Sequence, residues 1–92
     1  MNFLVVVRVP LIRPFAFWKQ HFDTHRSARR AAGIEDVFAY PILGEQAVLY
    51  AVKTSTPRTV HDMIYDPTVR PLIEESGFVV GQEVITVCEV VE

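Results

Sequence analysis

The chain has 92 residues, of which 50% are hydrophobic and 22% are charged, and its formal net charge is −2. A chain this short forms one domain, residues 1–92, because chains divide into several domains only beyond about 250 residues. The apolar composition excludes an intrinsically disordered chain. The small negative charge offers no general attraction for nucleic acid or an anionic membrane, so we expect neither as a partner.

The N-terminus and the cysteine content indicate the cellular compartment. The apolar run from Phe3 to Val7 is followed directly by Arg8. It is too short for a membrane span and lacks the preceding positive charge of a signal peptide, so we expect a cytoplasmic protein. Cys88 is the only cysteine, which excludes an intrachain disulfide. Its valine-rich surroundings predict a small buried side chain.

Hydrophobic periodicity and turn residues predict six elements. Alternating β-branched runs predict strands, whereas apolar side chains at i, i+3 and i+4 spacing predict helices. Pro10 and Gly33 end the first strand and the first helix, and Gly44 at the first position of a two-residue loop favours a type II′ hairpin turn. The predicted elements are a strand at 3–9, a helix at 14–32, strands at 34–43 and 46–54, a helical region at 56–77 and a strand at 83–91.

The second helical region is predicted to be broken. Thr56-Pro57 presents an N-cap hydroxyl followed by proline at the first helical position. Asp66-Pro67 repeats this start signal, and Pro71 removes a further backbone donor. We therefore expect two short helices, the second of which ends before Gly77.

The order of elements predicts an α+β fold. Strand, helix, strand, strand, helix, strand is the ferredoxin-like βαββαβ arrangement, a four-stranded antiparallel sheet with helices on one face. In that topology the second strand lies at an edge of the sheet, where a proline such as Pro41 is tolerated. The position of this proline therefore agrees with the predicted topology.

Both faces of the predicted sheet are apolar. In the first strand, Val5 and Val7 alternate with Leu4 and Val6. Two short helices cover only one face, whereas an antiparallel sheet with one free face usually alternates apolar and polar residues. We therefore expect an identical sheet from a second copy on the other face, in an obligate homodimer.

The first predicted helix carries residues that resemble a known superfamily. They are Trp18-Lys19, Phe22-Asp23, His25, Arg29 and Ala32-Gly33-Ile34. This run resembles small bacterial proteins of the dimeric α/β barrel superfamily related to the antibiotic biosynthesis monooxygenase group, and the resemblance covers nearly the whole chain. It implies two ferredoxin-like protomers packed sheet to sheet, each with a pocket between its sheet and its helices. The sequence departs from the pattern at Arg13-Pro14, where an aspartate commonly caps the first helix.

Members of that superfamily have different activities. They are known as cofactor-free monooxygenases of quinols or polyketides, polyketide cyclases, lactone isomerases and haem-degrading enzymes. The resemblance therefore implies a homodimer and a hydrophobic small-molecule ligand without deciding the reaction.

Two polar residues, His25 and Arg29, share a helical stripe with Trp18 and Phe22. Burying an imidazole and a guanidinium is costly unless they are hydrogen-bonded or line a wet cavity. Under the first hypothesis, His25 is a general acid or base, Arg29 stabilises an enolate or phenolate, and the two aromatic residues bind the substrate.

The second hypothesis makes the same polar pair structural. In it, His25 bonds a backbone carbonyl group, and Arg29 bonds a carboxylate such as Asp36 or Glu89. Both hypotheses place the two side chains between helix and sheet, so the pattern alone does not choose between them.

Other candidate residues carry weaker signals. His61 and Tyr65 have i, i+4 spacing and predict a second pair of substrate-binding side chains, the alternative being a partly exposed helix face. Tyr50 lies on a predicted strand, where core or interface is the simplest role. His21 and His25 have the spacing of a metal pair, but no third ligand follows, so we expect His21 at a boundary and no bound metal.

The sequence therefore predicts a cofactor-independent small-molecule enzyme that acts on an enolisable hydrophobic or aromatic substrate, polyketide or quinol-like, by monooxygenation or cyclisation. No nucleotide-binding motif or serine nucleophile elbow is present in the sequence, so we expect no cofactor. The alternative is a non-catalytic ligand-binding or structural homodimer in which His25 and Arg29 form a buried network.

Overall fold

The computed structural model describes residues 2–91 and shows the predicted order of elements, with each helical region divided in two. The elements are β1 (Phe3–Pro10), α1 (Phe15–Thr24), α2 (Arg26–Ala31), β2 (Glu35–Pro41), β3 (Ala47–Thr54), α3 (Arg58–Tyr65), α4 (Arg70–Glu75) and β4 (Val84–Glu89). No helix among these residues is long and apolar enough to cross a membrane.

The four strands form one antiparallel sheet in the order β2-β3-β1-β4. In the central pair, Val5 lies opposite Val52 and Val7 lies opposite Tyr50. β2 is an edge strand, so Pro41 occupies the edge position predicted for it. This arrangement is the predicted α+β, ferredoxin-like topology.

The hydrophobic core lies between the sheet and the helices. Val5, Val7 and Val9 alternate along β1 and are fully buried, because they face the helices. Trp18 of α1 and Ile64 of α3 belong to the same buried cluster. The first helical region and α3 therefore both pack on one face of the sheet, which we call the inner face.

The opposite face, called here the outer face, is mostly apolar, and no helix among the described residues packs on it. Residues opposite one another in the register share a face, and the apolar residues of the outer face are Leu4, Val6, Phe38, Tyr40, Leu49, Ala51, Val84 and Cys88. Tyr40 and Val84 are 63% and 60% exposed. The prediction of a buried Cys88 is wrong for the single chain, where the residue is exposed because it lies on this face.

The first helical region differs from the predicted single helix at 14–32. His25 separates α1 from α2, and its N–H group bonds the carbonyl oxygen of Phe22, three residues back, at 3.2 Å. Thr24 donates its hydroxyl to the carbonyl oxygen of Gln20 at 2.8 Å, a side-chain bond that bends helices. Ala32, which was predicted to end the helix, follows the last residue of α2 and is exposed.

The hairpin between β2 and β3 also differs from the predicted two-residue loop. Ile42 pairs with Ala47 through a 3.0 Å backbone bond, so the loop spans residues 43–46. The N–H group of Glu45 bonds the carbonyl oxygen of Ile42 at 3.2 Å. Gly44 is therefore the second central residue of the turn, where its φ of +79° is accommodated because glycine has no Cβ.

The predicted break in the second helical region is confirmed. α3 ends at Tyr65, and the Asp66 carboxylate accepts bonds from the N–H groups of Thr68 at 2.8 Å and Val69 at 3.3 Å. These bonds satisfy backbone donors at the start of the next helical turn. α4 then ends before Gly77, as predicted.

Candidate functional site

A cavity of about 220 Å³ lies between the inner face of the sheet and the helices. Its floor comes from β3, one wall from α1 and α2, and the remainder from α3, α4 and the segments beside them. Most lining residues are apolar. The polar residues that line it are His21, His25, Arg29, Tyr50 and Ser76.

Aromatic rings form the side of the cavity next to α1. Trp18 is 2% exposed and stacks on Phe22, with 4.7 Å between ring centroids. The ring of Tyr50 lies 5.6 Å from Trp18 and 5.1 Å from Phe22. The structure thus brings the predicted ring-binding residues, Trp18 and Phe22, together at the cavity, where they also belong to the packed core.

His25 is half-buried and lines the cavity. Its Nδ1 lies 2.8 Å from the carbonyl oxygen of His21. Because a carbonyl oxygen only accepts hydrogen bonds, Nδ1 carries the proton and Nε2 of the neutral ring carries a lone pair. This Nε2 takes part in none of the hydrogen bonds observed within residues 2–91.

His21 has the same arrangement one helical turn earlier. Its Nδ1 lies 3.0 Å from the carbonyl oxygen of Phe17, which again leaves the lone pair on Nε2. The structure shows His21 half-buried, as expected of a boundary residue, and places it in the cavity lining. Within residues 2–91, no group of three or more His, Cys, Asp or Glu side chains is arranged to hold a metal ion.

Arg29 is held by Asp36, one of the two carboxylates that the sequence offered. Nε and Nη2 of Arg29 each lie 2.7 Å from a different carboxylate oxygen. The guanidinium carbon also lies 3.6 Å from the ring centroid of Phe22. Asp36 therefore balances the charge of Arg29 and occupies two of its nitrogens, while Nη1 takes part in no hydrogen bond observed within residues 2–91.

The environment of Asp36 keeps it ionised. Burial alone raises the pKa of its carboxyl group, but the hydrogen bonds and positive charges of Arg29 and Arg26 outweigh burial and hold that pKa below its usual value. Nε of Arg26 lies 3.2 Å from the carboxylate. The Arg29–Asp36 pair is thus charged on both sides at neutral pH.

Tyr50 is a further polar group of the site, and the sequence assigned it only to core or interface. Burial raises the pKa of its hydroxyl well above the usual value, so the group stays protonated and can donate a hydrogen bond. The hydroxyl forms none of the hydrogen bonds observed within residues 2–91. No fully buried side-chain nitrogen or oxygen atom among these residues lacks a hydrogen-bond partner. Tyr50 is 7% exposed, belongs to the hydrophobic core and also lines the cavity.

His61 and Tyr65 are not brought to the cavity. The side chain of His61 is 58% exposed, and the hydroxyl of Tyr65 donates to Glu83 at 2.8 Å. α3 instead turns Val60 and Ile64 inward, and His61 follows Val60 by about 100° around the helix. The predicted substrate contact of these two residues therefore has no counterpart in the cavity lining.

Comparison with known proteins addresses the fold only. Neither a protein-family model nor a curated protein matches this sequence. The structure is similar to the solved structure of Rv0793 from Mycobacterium tuberculosis, with a TM-score of 0.63 over 100% of this chain and 97% of that chain. The two sequences are 14% identical. This likeness supports the ferredoxin-like fold described above.

Proposed function

We propose that the chain is a cofactor-independent enzyme that removes a proton from an enolisable hydrophobic or aromatic small molecule, polyketide or quinol-like, as the first step of a monooxygenation or cyclisation. Two observations carry the proposal: His25 lines a mostly apolar cavity, and its Nε2 takes part in none of the hydrogen bonds observed within residues 2–91. The fixed Nδ1–H bond makes this nitrogen a hydrogen-bond acceptor for an acidic proton of the ligand.

In the proposed step, Nε2 of His25 takes the proton from a carbon beside a carbonyl group or from a phenolic hydroxyl. The electron pair moves onto the ligand oxygen as an enolate or phenolate. The hydroxyl of Tyr50 and Nη1 of Arg29 are the donors that we propose to stabilise that oxygen, since both residues line the cavity and neither group has a hydrogen-bond partner within residues 2–91. Because apolar side chains lower the local dielectric, each such bond is stronger than in water.

The cavity size limits the substrate. A protein cavity of about 150 Å³ accepts benzene, and this one measures about 220 Å³. It therefore suits a ligand of one or two fused rings. Trp18 and Phe22 provide the aromatic surface against which such rings stack.

The outer face is proposed to pair with the same face of a second copy, forming a dimeric α/β barrel. Its support is the exposed apolar surface, on which Phe38 and Tyr40 stack at 5.3 Å between centroids. A self-complementary two-fold interface covers such a face without another partner. A cytoplasmic location remains a prediction.

Deuterium exchange tests the proton-removal step without requiring the physiological substrate. 1-Tetralone, a two-ring ketone, is incubated with the protein in D2O, and loss of the proton signal at the carbon beside the carbonyl is followed by NMR. We expect wild-type protein to accelerate exchange and His25→Gln to slow the catalysed rate by at least ~100-fold. His61→Gln, which changes an exposed imidazole, is the matched control and is expected to keep the wild-type rate. Equal rates in wild type and His25→Gln contradict the proposal.

Oxygen consumption then separates the two reaction classes. A substrate whose conversion consumes oxygen stoichiometrically identifies a monooxygenase, whereas conversion of the same substrate under nitrogen identifies cyclisation or isomerisation. His25 is proposed to remove the first proton in both classes, so the proposed role of His25 does not depend on which class this measurement finds.

The alternative, a non-catalytic binding or structural dimer, is favoured by a different observation. Both polar residues already have a partner within the chain, since His25 bonds the carbonyl oxygen of His21 and Arg29 bonds Asp36. The double substitution His25→Ala with Arg29→Ala decides between them. A large loss of stability with unchanged ligand binding supports the structural role, whereas lost binding or turnover in a folded variant supports the site.

A further inference from the structure

We infer that His21 is a second ligand-binding residue of the cavity, and that the ligand carries two hydrogen-bond donors, one for His21 and one for His25. The inference rests on the proposed function and specifies its ligand class. It starts from the observation that both imidazoles line the same cavity wall and that both are anchored through Nδ1.

The two anchors fix the orientation of the rings. His21 donates from Nδ1 to the carbonyl oxygen of Phe17, and His25 donates from Nδ1 to that of His21. Each bond ties the near edge of the ring to the backbone four residues earlier, so both Nε2 atoms lie at the far edge. Each neutral ring therefore offers an acceptor and no second donor.

The spacing of the anchors sets the spacing of the acceptors. Four residues along a helix correspond to a rise of about 6 Å. Each ring is tied to its own carbonyl group, and we expect the two Nε2 atoms to keep about the same separation as those groups. A ligand that satisfies both then needs two proton donors about one helical turn apart.

The apolar surroundings make both acceptors selective. Buried apolar residues such as Ile64 and Phe78 line the same cavity as the two imidazoles. A ligand with a single donor leaves one Nε2 without a partner when it displaces water, and an unpaired buried acceptor weakens binding. A one-ring compound with hydroxyl groups at opposite ends matches both the spacing and the cavity volume.

Trp18 provides the readout for ligand binding. It is the only tryptophan in the chain and lines the cavity, so quenching of its fluorescence reports binding there. The probes are 1,4-dihydroxybenzene, handled under nitrogen, and 4-methoxyphenol, in which a methyl group blocks one of the two donors. In wild-type protein we expect the diol to bind at least ~10-fold more tightly than the methyl ether.

Two matched substitutions assign this preference. His21→Phe removes one acceptor, and it is expected to abolish the preference for the diol while 4-methoxyphenol binds as before. His61→Phe removes the exposed imidazole outside the cavity and is expected to keep the preference. Nitrogen NMR of wild-type protein provides a measurement that needs no substitution: the diol shifts Nε2 of both His21 and His25, whereas the methyl ether shifts only one of them.

The outcomes distinguish this inference from the proposed function. Equal binding of the two probes, with no effect of His21→Phe, overturns the inference and leaves proton removal by His25 standing if tetralone exchange is catalysed. If 1-tetralone exchange does not depend on His25 and neither probe quenches Trp18 fluorescence, both the inference and the proposed function are overturned.

Discussion

Arg29 and Asp36 form a two-pronged ion pair in which both nitrogen–oxygen distances, Nε to Oδ1 and Nη2 to Oδ2, are 2.7 Å. The side chains are only 12% and 14% exposed. The pair joins α2 to the edge strand β2, and the guanidinium group also covers the ring of Phe22. One wall of the cavity is therefore fixed to the sheet by a charged contact as well as by apolar packing.

This ion pair predicts a pH-dependent contribution to stability. The lowered pKa of Asp36 means that its carboxylate stabilises the fold above the unfolded value of about 3.9, and that this contribution is lost as the pH falls through the folded value. We expect Asp36→Asn to lower the free energy of unfolding by about 2 kcal/mol at pH 7. Urea denaturation between pH 3 and pH 7 measures the difference from wild type, which should shrink towards the acid end.

The control is an exposed ion pair. Arg8 and Glu45 are joined at 2.7 Å, but their side chains are 52% and 51% exposed. Glu45→Gln is therefore expected to change the free energy of unfolding by less than ~1 kcal/mol. If Asp36→Asn costs no more than this control at pH 7, the Arg29–Asp36 pair does not stabilise the fold as argued.

Tyr50 is predicted to assist proton removal without stabilising the fold through its hydroxyl. Tyr50→Phe keeps the ring contacts with Trp18 and Phe22 and removes only the donor. Loss of one hydrogen bond to the developing enolate should slow 1-tetralone exchange by about 10- to 1,000-fold with little change in the free energy of unfolding. Tyr40→Phe, on the outer face, is the matched control. An unchanged exchange rate in Tyr50→Phe would remove this residue from the proposed step.

Local signals were sufficient to predict the fold. Alternating β-branched residues specified the strands, Asp66-Pro67 specified the break between α3 and α4, and Pro41 agreed with an edge strand. The break at His25 was missed because helical periodicity continues through it. Two hydrogen bonds mark the break: the Thr24 hydroxyl donates to the backbone, and the N–H group of His25 donates to the carbonyl oxygen three residues earlier. Neither bond has a distinctive pattern in the sequence.

The candidate site was predicted only in part. His25 and Arg29 were expected on one stripe with Trp18 and Phe22 because of their helical spacing, and all four residues line the cavity. Tyr50 was not selected, since a tyrosine within a buried strand is ordinarily a packing residue. Only the packing of the helices on the sheet shows that Tyr50 lines the cavity and that its hydroxyl has no hydrogen-bond partner within residues 2–91.

The rotation of α3 about its own axis explains why His61 does not reach the cavity. Proline and aspartate residues mark where this helical region starts and breaks, but they do not show which side of the helix faces the sheet. Val60 and Ile64 take the inner side, and His61 therefore points towards solvent. Val60, Met63 and Ile64 have the i, i+3, i+4 spacing of a buried stripe, so this rotation of the helix could have been predicted from the sequence.

The outer face predicts a change of oligomeric state on a single substitution. Val6 lies on β1, opposite Ala51, near the centre of this face. Val6→Lys places a charge in the proposed interface, and we expect analytical ultracentrifugation to show a monomer where wild type is a dimer. Leu43→Lys is the control, since Leu43 is fully exposed on the hairpin loop. A wild-type monomer, or a dimer that survives Val6→Lys, would contradict this interface.

Gly77 is predicted to be the glycine least tolerant of substitution. It has a φ of +98°, and a Cβ at this position would lie 2.7 Å from Cβ and Cγ of Arg13. Its carbonyl oxygen also accepts a 2.8 Å bond from the N–H group of Ile12, which fixes the segment beside the cavity-lining Ser76 and Phe78. The backbone therefore has little freedom to move away from the added methyl group.

Gly33 is the control that separates the cost of the clash with Arg13 at Gly77 from the cost of the left-handed backbone conformation. Its φ is +77°, but no atom lies within 4 Å of the corresponding Cβ position. Gly33→Ala should therefore cost only the left-handed conformation, about 1 kcal/mol, whereas Gly77→Ala should cost about 3 kcal/mol. Urea denaturation of the two variants measures both losses. Equal losses would show that the contact with Arg13 relaxes freely, and only the conformational cost would then remain at Gly77.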